Sequence, residues 1–260
     1  MFEDLFSIDG KTAVVTGGSR GIGLIIAGGL LRAGAHVIIS SRKSDVCAQA
    51  EKELSAHGDV LAVPADVAMR DGVQRLAAAT RQRFNGRLDI LVNNAGVGWG
   101  APLEEYPEAG WDKVMDTNVK GVFMLTQALL PELRVAASPE SPARILNISS
   151  ADGSRVPQIE SYAYSSSKAA LNMLTRHLAR QLASESICVN AIAPGPFPSK
   201  MTAFMLESEE GRSEVESRIP LGRLGRPDDI IGATLFLTSR ASAYLTGAVI
   251  PVDGGYVGCG

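Results

Sequence analysis

Short apolar runs recur along the chain at fairly even spacing. They are Ala13–Val15, His36–Ile39, Val60–Val63, Ile90–Val92, Arg144–Ile148, Cys188–Ile192 and Val249–Val252. Several are apolar at successive positions, as expected for strands covered on both faces. Helical spacing fills the intervals: Leu171, Leu174, Leu178 and Leu182 form one stripe at steps of three and four. Strand and helix alternating in this way predict an α/β fold, a parallel sheet wound with helices on both faces. Arg134–Ala143 reads as the most loop-like stretch of the body. Residues 197–226 read as an irregular insertion with some helix, and the glycine-rich tail from Gly254 as surface. No linker or low-complexity stretch divides the chain, so 1–260 is expected to be one domain.

Composition narrows the class. A net charge of −3 gives no basic footprint for nucleic acid. Cys47, Cys188 and Cys259 are odd in number and far apart, without disulfide or zinc spacing, and three scattered histidines argue against a metal site. A reducing compartment, the cytoplasm, is the expected location. No signal peptide and no apolar run long enough to span a membrane are seen.

Candidate chemistry begins at Thr16-Gly17-Gly18-Ser19-Arg20-Gly21-Ile22-Gly23, between the first strand and a helix. Glycines there let the backbone turn tightly and a phosphate come close, with helix N-terminal N–H groups facing it. The spacing is Gly-x-x-x-Gly-x-Gly. It resembles the short-chain dehydrogenase/reductase family, and further motifs in order extend the resemblance over nearly the whole chain. They are Asn93-Asn94-Ala95-Gly96, Asn118 within Thr117–Gly121, Ser149-Ser150, Tyr164-Ser165-Ser166-Ser167-Lys168 and Pro194-Gly195. The resemblance implies a single Rossmann-type domain with seven parallel strands, a nicotinamide cofactor and oxidoreductase activity.

The end of the second strand bears on which cofactor. NAD-specific sites usually carry an acid there. This chain has Ser41 followed by Arg42, which can pair with a 2′-phosphate, and Arg20 can reach the same group. NADP(H) is therefore expected. Cofactor contacts are expected at Gly17, Ser19, Arg20, Gly21, Ile22, Gly23, Arg42, Asn94, Ala95, Gly96, Pro194, Gly195 and Phe197. The resemblance adds Asp66 and Val67 at the adenine. Phe197 stands where the family usually has a smaller aliphatic residue.

Tyr164 and Lys168 are four apart and share a helix face. A free tyrosine titrates near 10, and a nearby ammonium would bring it toward the working pH. Tyr164 is the expected proton donor to a developing alkoxide, with Ser150 holding the same oxygen. The resemblance implies that Lys168 also binds the nicotinamide ribose and that Asn118 holds a water linking Lys168 to solvent. Strand alternation points only one of Ser149 and Ser150 into the site, and family spacing to Gly153 favours Ser150. Tyr162 lies six residues before Lys168, on the wrong helical face.

Within the family, the chain most resembles 3-oxoacyl reductases of the acyl-carrier-protein type, including the rhamnolipid-associated variety. Gly98-Trp99-Gly100-Ala101, the insert before strand five and Tyr162-Ala163-Tyr164 carry that likeness. Met201, Phe204 and Met205 can share one helix face on the segment that folds over the substrate in this family, a lid at about 197–226. Trp99 and Ile159 are expected to line the same cleft. An apolar, adaptable face suits an acyl chain, carried by acyl-carrier protein or CoA, better than a sugar. The alternatives are a sugar, polyol or steroid dehydrogenase of the same family and a non-catalytic NADP(H)-binding module. The resemblance also implies a homotetramer paired through the Leu171–Leu182 helix.

Overall fold

The computed structural model describes residues 2–199, 203 and 207–259. In order, the elements are α1 (Phe2–Phe6), β1 (Thr12–Thr16), α2 (Gly21–Arg32), β2 (His36–Ser41), α3 (Ser44–Leu54), β3 (Val60–Pro64), α4 (Arg70–Arg83) and β4 (Ile90–Asn93). Then come α5 (Glu108–Met115), α6 (Gly121–Ala136), β5 (Ala143–Ile148), α7 (Tyr162–Leu182), β6 (Ile187–Pro194), α8 (Glu209–Ser217), α9 (Pro227–Thr238) and β7 (Val249–Val252). A π-helical turn, Asp116–Lys120, joins α5 to α6.

All seven strands pair in parallel in one sheet, in the order β3-β2-β1-β4-β5-β6-β7. This is the Rossmann-type α/β architecture that the strand pattern predicts. Successive side chains leave a strand on opposite faces, so each strand feeds two cores. Val14, Ile38, Leu91 and Ile145 pack with Leu76 of α4, Leu125 and Leu129 of α6 and Leu182 of α7. Val15, Ile39, Val92 and Leu146 pack on the other side with Ile26 and Leu30 of α2, Leu54 of α3 and Ile230 of α9. Strand order reverses between β1 and β4. The loops leaving those two strands diverge there and open a crevice at the carboxyl ends of the strands.

Three details differ from the sequence expectation, and the tail, exposed at Cys259 as expected, is anchored. Helix α6 runs to Ala136, because Leu133 and Ala136 continue its buried stripe, and Arg134 pairs with Glu185 from that last turn. On α7 only Leu171 and Leu182 of the leucine stripe are buried; Leu174 and Leu178 are half-buried. Thr175 and Ala179 occupy the innermost line instead, with Thr175 Oγ1 satisfied by donating to Leu171 O. The tail after β7 folds back. The Asp253 carboxylate accepts from the Gly255 and Val257 N–H groups, and Arg155 stacks 4.1 Å from the centre of the Tyr256 ring. Phe197 is buried against Gly225, where an added Cβ would sit 2.3 Å from Phe197 Cζ.

Candidate active site

Between β1 and α2 the chain turns through Gly17–Arg20. Gly17 has φ +66°, and a Cβ there would lie 2.8 Å from Asn94 Nδ2. A Cβ at Gly23 would lie 2.3 Å from both Asn94 Nδ2 and Gly17 O. Both positions need glycine, because the turn is pressed against the end of β4. Gly21 by contrast faces open space, with nothing within 4 Å of its missing Cβ. The result is a cradle closed behind and open in front. The unpaired N–H groups of the first turn of α2 lie at its rim, an arrangement that fits a pyrophosphate.

Two residues sew this turn to β4. Asn94 Nδ2 donates to Thr16 O (2.8 Å) and Gly17 O (3.3 Å). Thr16 Oγ1 accepts from the N–H groups of both Asn94 and Ala95, each at 3.0 Å. Sequence reasoning missed Thr16; a hydroxyl ending an otherwise apolar strand was the available signal. Arg20 and Arg42 flank the cradle, both exposed and without an ion-pair partner among the described residues. The Thr16–Ser40 register and the Gly18 N–H to Ser40 O bond (3.2 Å) place the end of β2 beside the turn. Asp66 caps its own loop by accepting from the Ala68 N–H (3.1 Å), and Val67 is buried next to it.

The predicted proton-transfer residues converge at the carboxyl ends of β4 and β5. A Cβ on Gly96 would meet Asn118 Oδ1 at 3.4 Å and Lys168 Nζ at 3.6 Å, so these three positions share one corner. Asn118, on the π-helical turn, is fully committed to protein. Its Nδ2 donates to Val97 O and Ser167 Oγ, and its Oδ1 accepts from the Val97 N–H, all at 2.9 Å. Lys168 Nζ donates to Ile148 O (2.7 Å) and lies 5.6 Å from the Tyr164 ring centre. Alternation along β5 separates the two serines. Ser149 turns to α7 and donates to Asn172 Oδ1 (2.6 Å), whereas Ser150 faces Tyr164 closely enough to lower its phenol. Tyr162 points away, its hydroxyl on Glu160 (3.0 Å).

Electrostatics here differ from the sequence expectation. Burial pushes the Tyr164 phenol up to about 12, the Ser150 hydrogen bond opposes this, and the charge of Asp152 adds to it. Burial lowers Lys168 to about 8. Asp152, which sequence reasoning did not single out, is raised by burial, with Arg155 opposing.

Trp99 lays its ring face against Gly110, with Lys113 Nζ 5.4 Å from the ring centre, and its loop meets the Ile159 loop where the Ala101 N–H donates to Glu160 O (3.2 Å). Pro194 ends β6, and Gly195 packs on Asp253, 2.7 Å from its Cα to an added Cβ. Met201, Phe204 and Met205 lie outside the described residues. A cavity of about 500 Å³ lies beyond Pro196, lined by Phe197, Pro220, Leu221, Arg223 and Asp253. None of Asn118, Ser150, Tyr164 and Lys168 lines it, so the chemistry locates the site and the cavity does not.

A family profile described as enoyl-(acyl carrier protein) reductase matches residues 17–257. The chain belongs to the short-chain dehydrogenase/reductase family. Among members of this family, the rhamnolipids biosynthesis 3-oxoacyl-[acyl-carrier-protein] reductase of Pseudomonas aeruginosa is 51% identical over 251 residues, 96% of this chain and 98% of that one. The gluconate 5-dehydrogenase of Gluconobacter oxydans is 38% identical over 253 residues, 97% of this chain and 96% of that one. A solved structure titled as the Pseudomonas aeruginosa RhlG/NADP active-site complex superposes with a TM-score of 0.94 at 50% identity, covering 98% of this chain and 99% of that chain. In this short-chain dehydrogenase/reductase, no helix among the described residues is long and apolar enough to cross a membrane. No group of His, Cys, Asp and Glu among them could hold a metal ion.

Proposed function

We propose that the chain is an NADPH-dependent carbonyl reductase that converts a 3-oxoacyl thioester to the 3-hydroxyacyl thioester. The observation that carries this reading is the meeting of Ser150, Tyr164 and Lys168 at the sheet edge beside the glycine cradle. The likeness to the Pseudomonas reductase supports the substrate class.

NADPH, when bound, supplies the hydride to the carbonyl carbon. The backbone of Gly17, Ser19, Gly21, Ile22 and Gly23 holds the pyrophosphate. Arg20 and Arg42, exposed and without an ion-pair partner among the described residues, would take the 2′-phosphate. Asp66 and Val67 would border the adenine, and Asn94, Ala95 and Gly96 the cofactor where it crosses the sheet edge. Lys168 reaches the nicotinamide ribose, and Pro194, Gly195 and the main chain of Phe197 border its amide. Ser150 Oγ already accepts from the Asp152 N–H (3.1 Å), so its own proton is free to bond the substrate oxygen. Tyr164 gives that oxygen its proton. With the phenol near 12 it is fully protonated at neutral pH, the form reduction needs. Asn118 holds the Val97 loop and, through Ser167, the first turns of α7, keeping Lys168 and Tyr164 in register.

A carbon–carbon double-bond reduction, the activity in the family profile's description, is disfavoured by Tyr162. Its hydroxyl is on Glu160 at the surface, so Ser150 and Tyr164 remain as a pair suited to an oxygen. A sugar-acid dehydrogenase is the second reading, favoured by the gluconate relative. We place the enzyme in the cytoplasm as a homotetramer; exposed Phe123, Val135 and Met173 on α6 and α7 support pairing of those helices. Segment 197–226 serves as the substrate lid. Its end is tied to the rim by Arg218, whose guanidinium donates to Gln158.

The test is a chain-length series of 3-oxoacyl thioesters, on acyl-carrier protein and on CoA, with NADPH. Each buried methylene is worth about 0.8 kcal/mol, so kcat/KM is expected to climb up to about fourfold per carbon from four carbons until the cleft is full. A flat profile with better turnover of sugar acids overturns the reading.

A further inference from the structure

Ser41 closes β2 at the place where an NAD-specific site carries its acid, and the account of the cofactor above gives its side chain no task. Alternation along β2 puts it on the face of Ile39, the face that packs on α3. Among the described residues its hydroxyl has one partner. Ser41 Oγ lies 3.1 Å from Cys47 Sγ. Cys47 is on the first turn of α3, where its N–H donates to Lys43 O at 3.0 Å, and it is buried at 1% exposure. Ser41 is half-buried, so the thiol forms the inner end of the pair and the serine the outer end. Only Arg42 and Lys43, both exposed, separate β2 from α3, so the two residues of the pair bracket the turn that carries Arg42.

The pair holds two protons and has two ways to place them. In one, Sγ–H donates to Ser41 O at 3.5 Å and the hydroxyl donates to Sγ. Ser41 Oγ then turns only lone pairs outward. In the other, Sγ–H donates to Ser41 Oγ, and the hydroxyl proton is released to an outside acceptor. Ser41 O gives up little by this exchange, because it keeps the Ala65 N–H at 2.9 Å. A phosphate dianion offers acceptors alone and therefore needs the second placement. A ribose 2′-hydroxyl both donates and accepts, so either placement serves it.

We propose that Cys47 is a positioning residue for cofactor choice: its thiol donates to Ser41 Oγ and so frees the Ser41 hydroxyl to donate to the 2′-phosphate of NADPH. The inference rests on the placement of that phosphate beside Arg42 and Arg20 proposed above. The two arginines bring charge on long, exposed side chains that have to be ordered on binding. Ser41 stands on a sheet strand and is held by α3 beforehand, so its donor adds direction at little entropic cost. Hydrogen bonds to an ionised acceptor are also about twice as strong as neutral ones, which concentrates the effect on NADPH.

The experiment measures Kd for NADPH and NADH by fluorescence titration of the wild type, Ser41→Ala, Cys47→Ala, Cys47→Ser and the Ser41→Ala/Cys47→Ala double variant. Ser41→Ala should shrink the preference for NADPH over NADH by about tenfold. Cys47→Ala should shrink it by about threefold, with NADH affinity unchanged, and Cys47→Ser, whose hydroxyl donates as the thiol does, should restore it. The double variant is expected to bind NADPH no more weakly than Ser41→Ala, since the thiol acts through the serine. Equal weakening of both cofactors in Cys47→Ala would show a packing role and overturn the inference. So would additive losses in the double variant, or failure of Cys47→Ser to restore the preference. An unchanged preference in Ser41→Ala overturns it without any change at the buried thiol. A preference for NADPH that survives Arg42→Asp removes the phosphate from this turn and refutes the reading beneath the inference as well; loss of the preference there, with no effect at Ser41, refutes the inference alone.

Discussion

Thr16→Val removes one hydroxyl and almost no volume, so its effect reports the hydrogen bonds that Oγ1 makes. That oxygen is buried and accepts from the Asn94 and Ala95 N–H groups, each at 3.0 Å. Valine keeps the β-branched shape and leaves both donors without this acceptor. A buried donor without a partner costs about 1–3 kcal/mol. Asn94 and Ala95 are half-buried, so water relieves part of the loss, and the lower half of the range applies to each. The sum is about 2–4 kcal/mol. Urea unfolding of wild type and variant measures it directly, as a lower midpoint at constant slope. Thr16→Ser keeps the acceptor and should lose about 1 kcal/mol or less, the worth of one buried methyl. The loss should reach the cradle too, because Asn94 Nδ2 holds Thr16 O and Gly17 O. NADPH binding by Thr16→Val is expected to weaken at least as much as that of Thr16→Ser. A loss below about 0.5 kcal/mol in Thr16→Val, no larger than an ordinary surface change, would refute the account of this turn.

Arg42→Asp should shrink or reverse the preference for NADPH over NADH. A charge-assisted phosphate contact is worth about 1.5–3 kcal/mol, roughly ten- to more than a hundredfold in Kd by fluorescence titration. Tyr164→Phe is expected to keep NADPH binding and lose turnover by about 10²–10⁴-fold, read from steady-state rates and titration together. Lys168 gives a pH signature. Its folded value, about 8, lies below the unfolded value of 10.5, so burying the ammonium destabilises the fold in full below pH 8. That cost is relieved as pH rises from 8 toward 10.5, because the unfolded chain then binds more protons. Between pH 7 and 9.5 wild-type stability should gain about 2 kcal/mol relative to Lys168→Met. The window stays below pH 10, where the raised Tyr164 begins to act with the opposite sign. Parallel pH curves would show that Lys168 is not desolvated.

The strands were legible because each is a short apolar run between polar turns, and the sheet follows from their alternation with helices. Alternation continued past β5 also separates Ser149, which turns to α7, from Ser150, which faces Tyr164. What stayed hidden depends on contacts far apart in sequence. Thr16 matters because Asn94, 78 residues later and just past β4, lies beside it. The low value of Lys168 arises from burial, and its ammonium bonds Ile148 O; a local pattern reveals neither. The glycine-rich tail read as surface, and its anchors, two backbone N–H groups on Asp253 and a ring under Arg155, were not legible in it. Phe197 was read only as a cofactor contact, and the burial of its ring against Gly225 depends on a residue distant in sequence.

The π-helical turn at Asp116–Lys120 ties the spacing of the chain to its catalysis. A wide turn of this kind holds one residue more than an ordinary α turn. Deleting a single residue there would let the helix close with normal hydrogen bonds, so secondary structure would survive. Each residue of an α-helix advances about 100° around the axis. The deletion would therefore swing α5 by that angle relative to α6, carrying buried Gly110 and Val114 off their partners. Asn118 would leave Val97 and Ser167 in the same movement. The site thus depends on a residue count as much as on residue identities. A one-residue gap at this place in an otherwise intact chain would mark a protein that folds around its sheet and has lost the corner where Lys168 and Tyr164 meet.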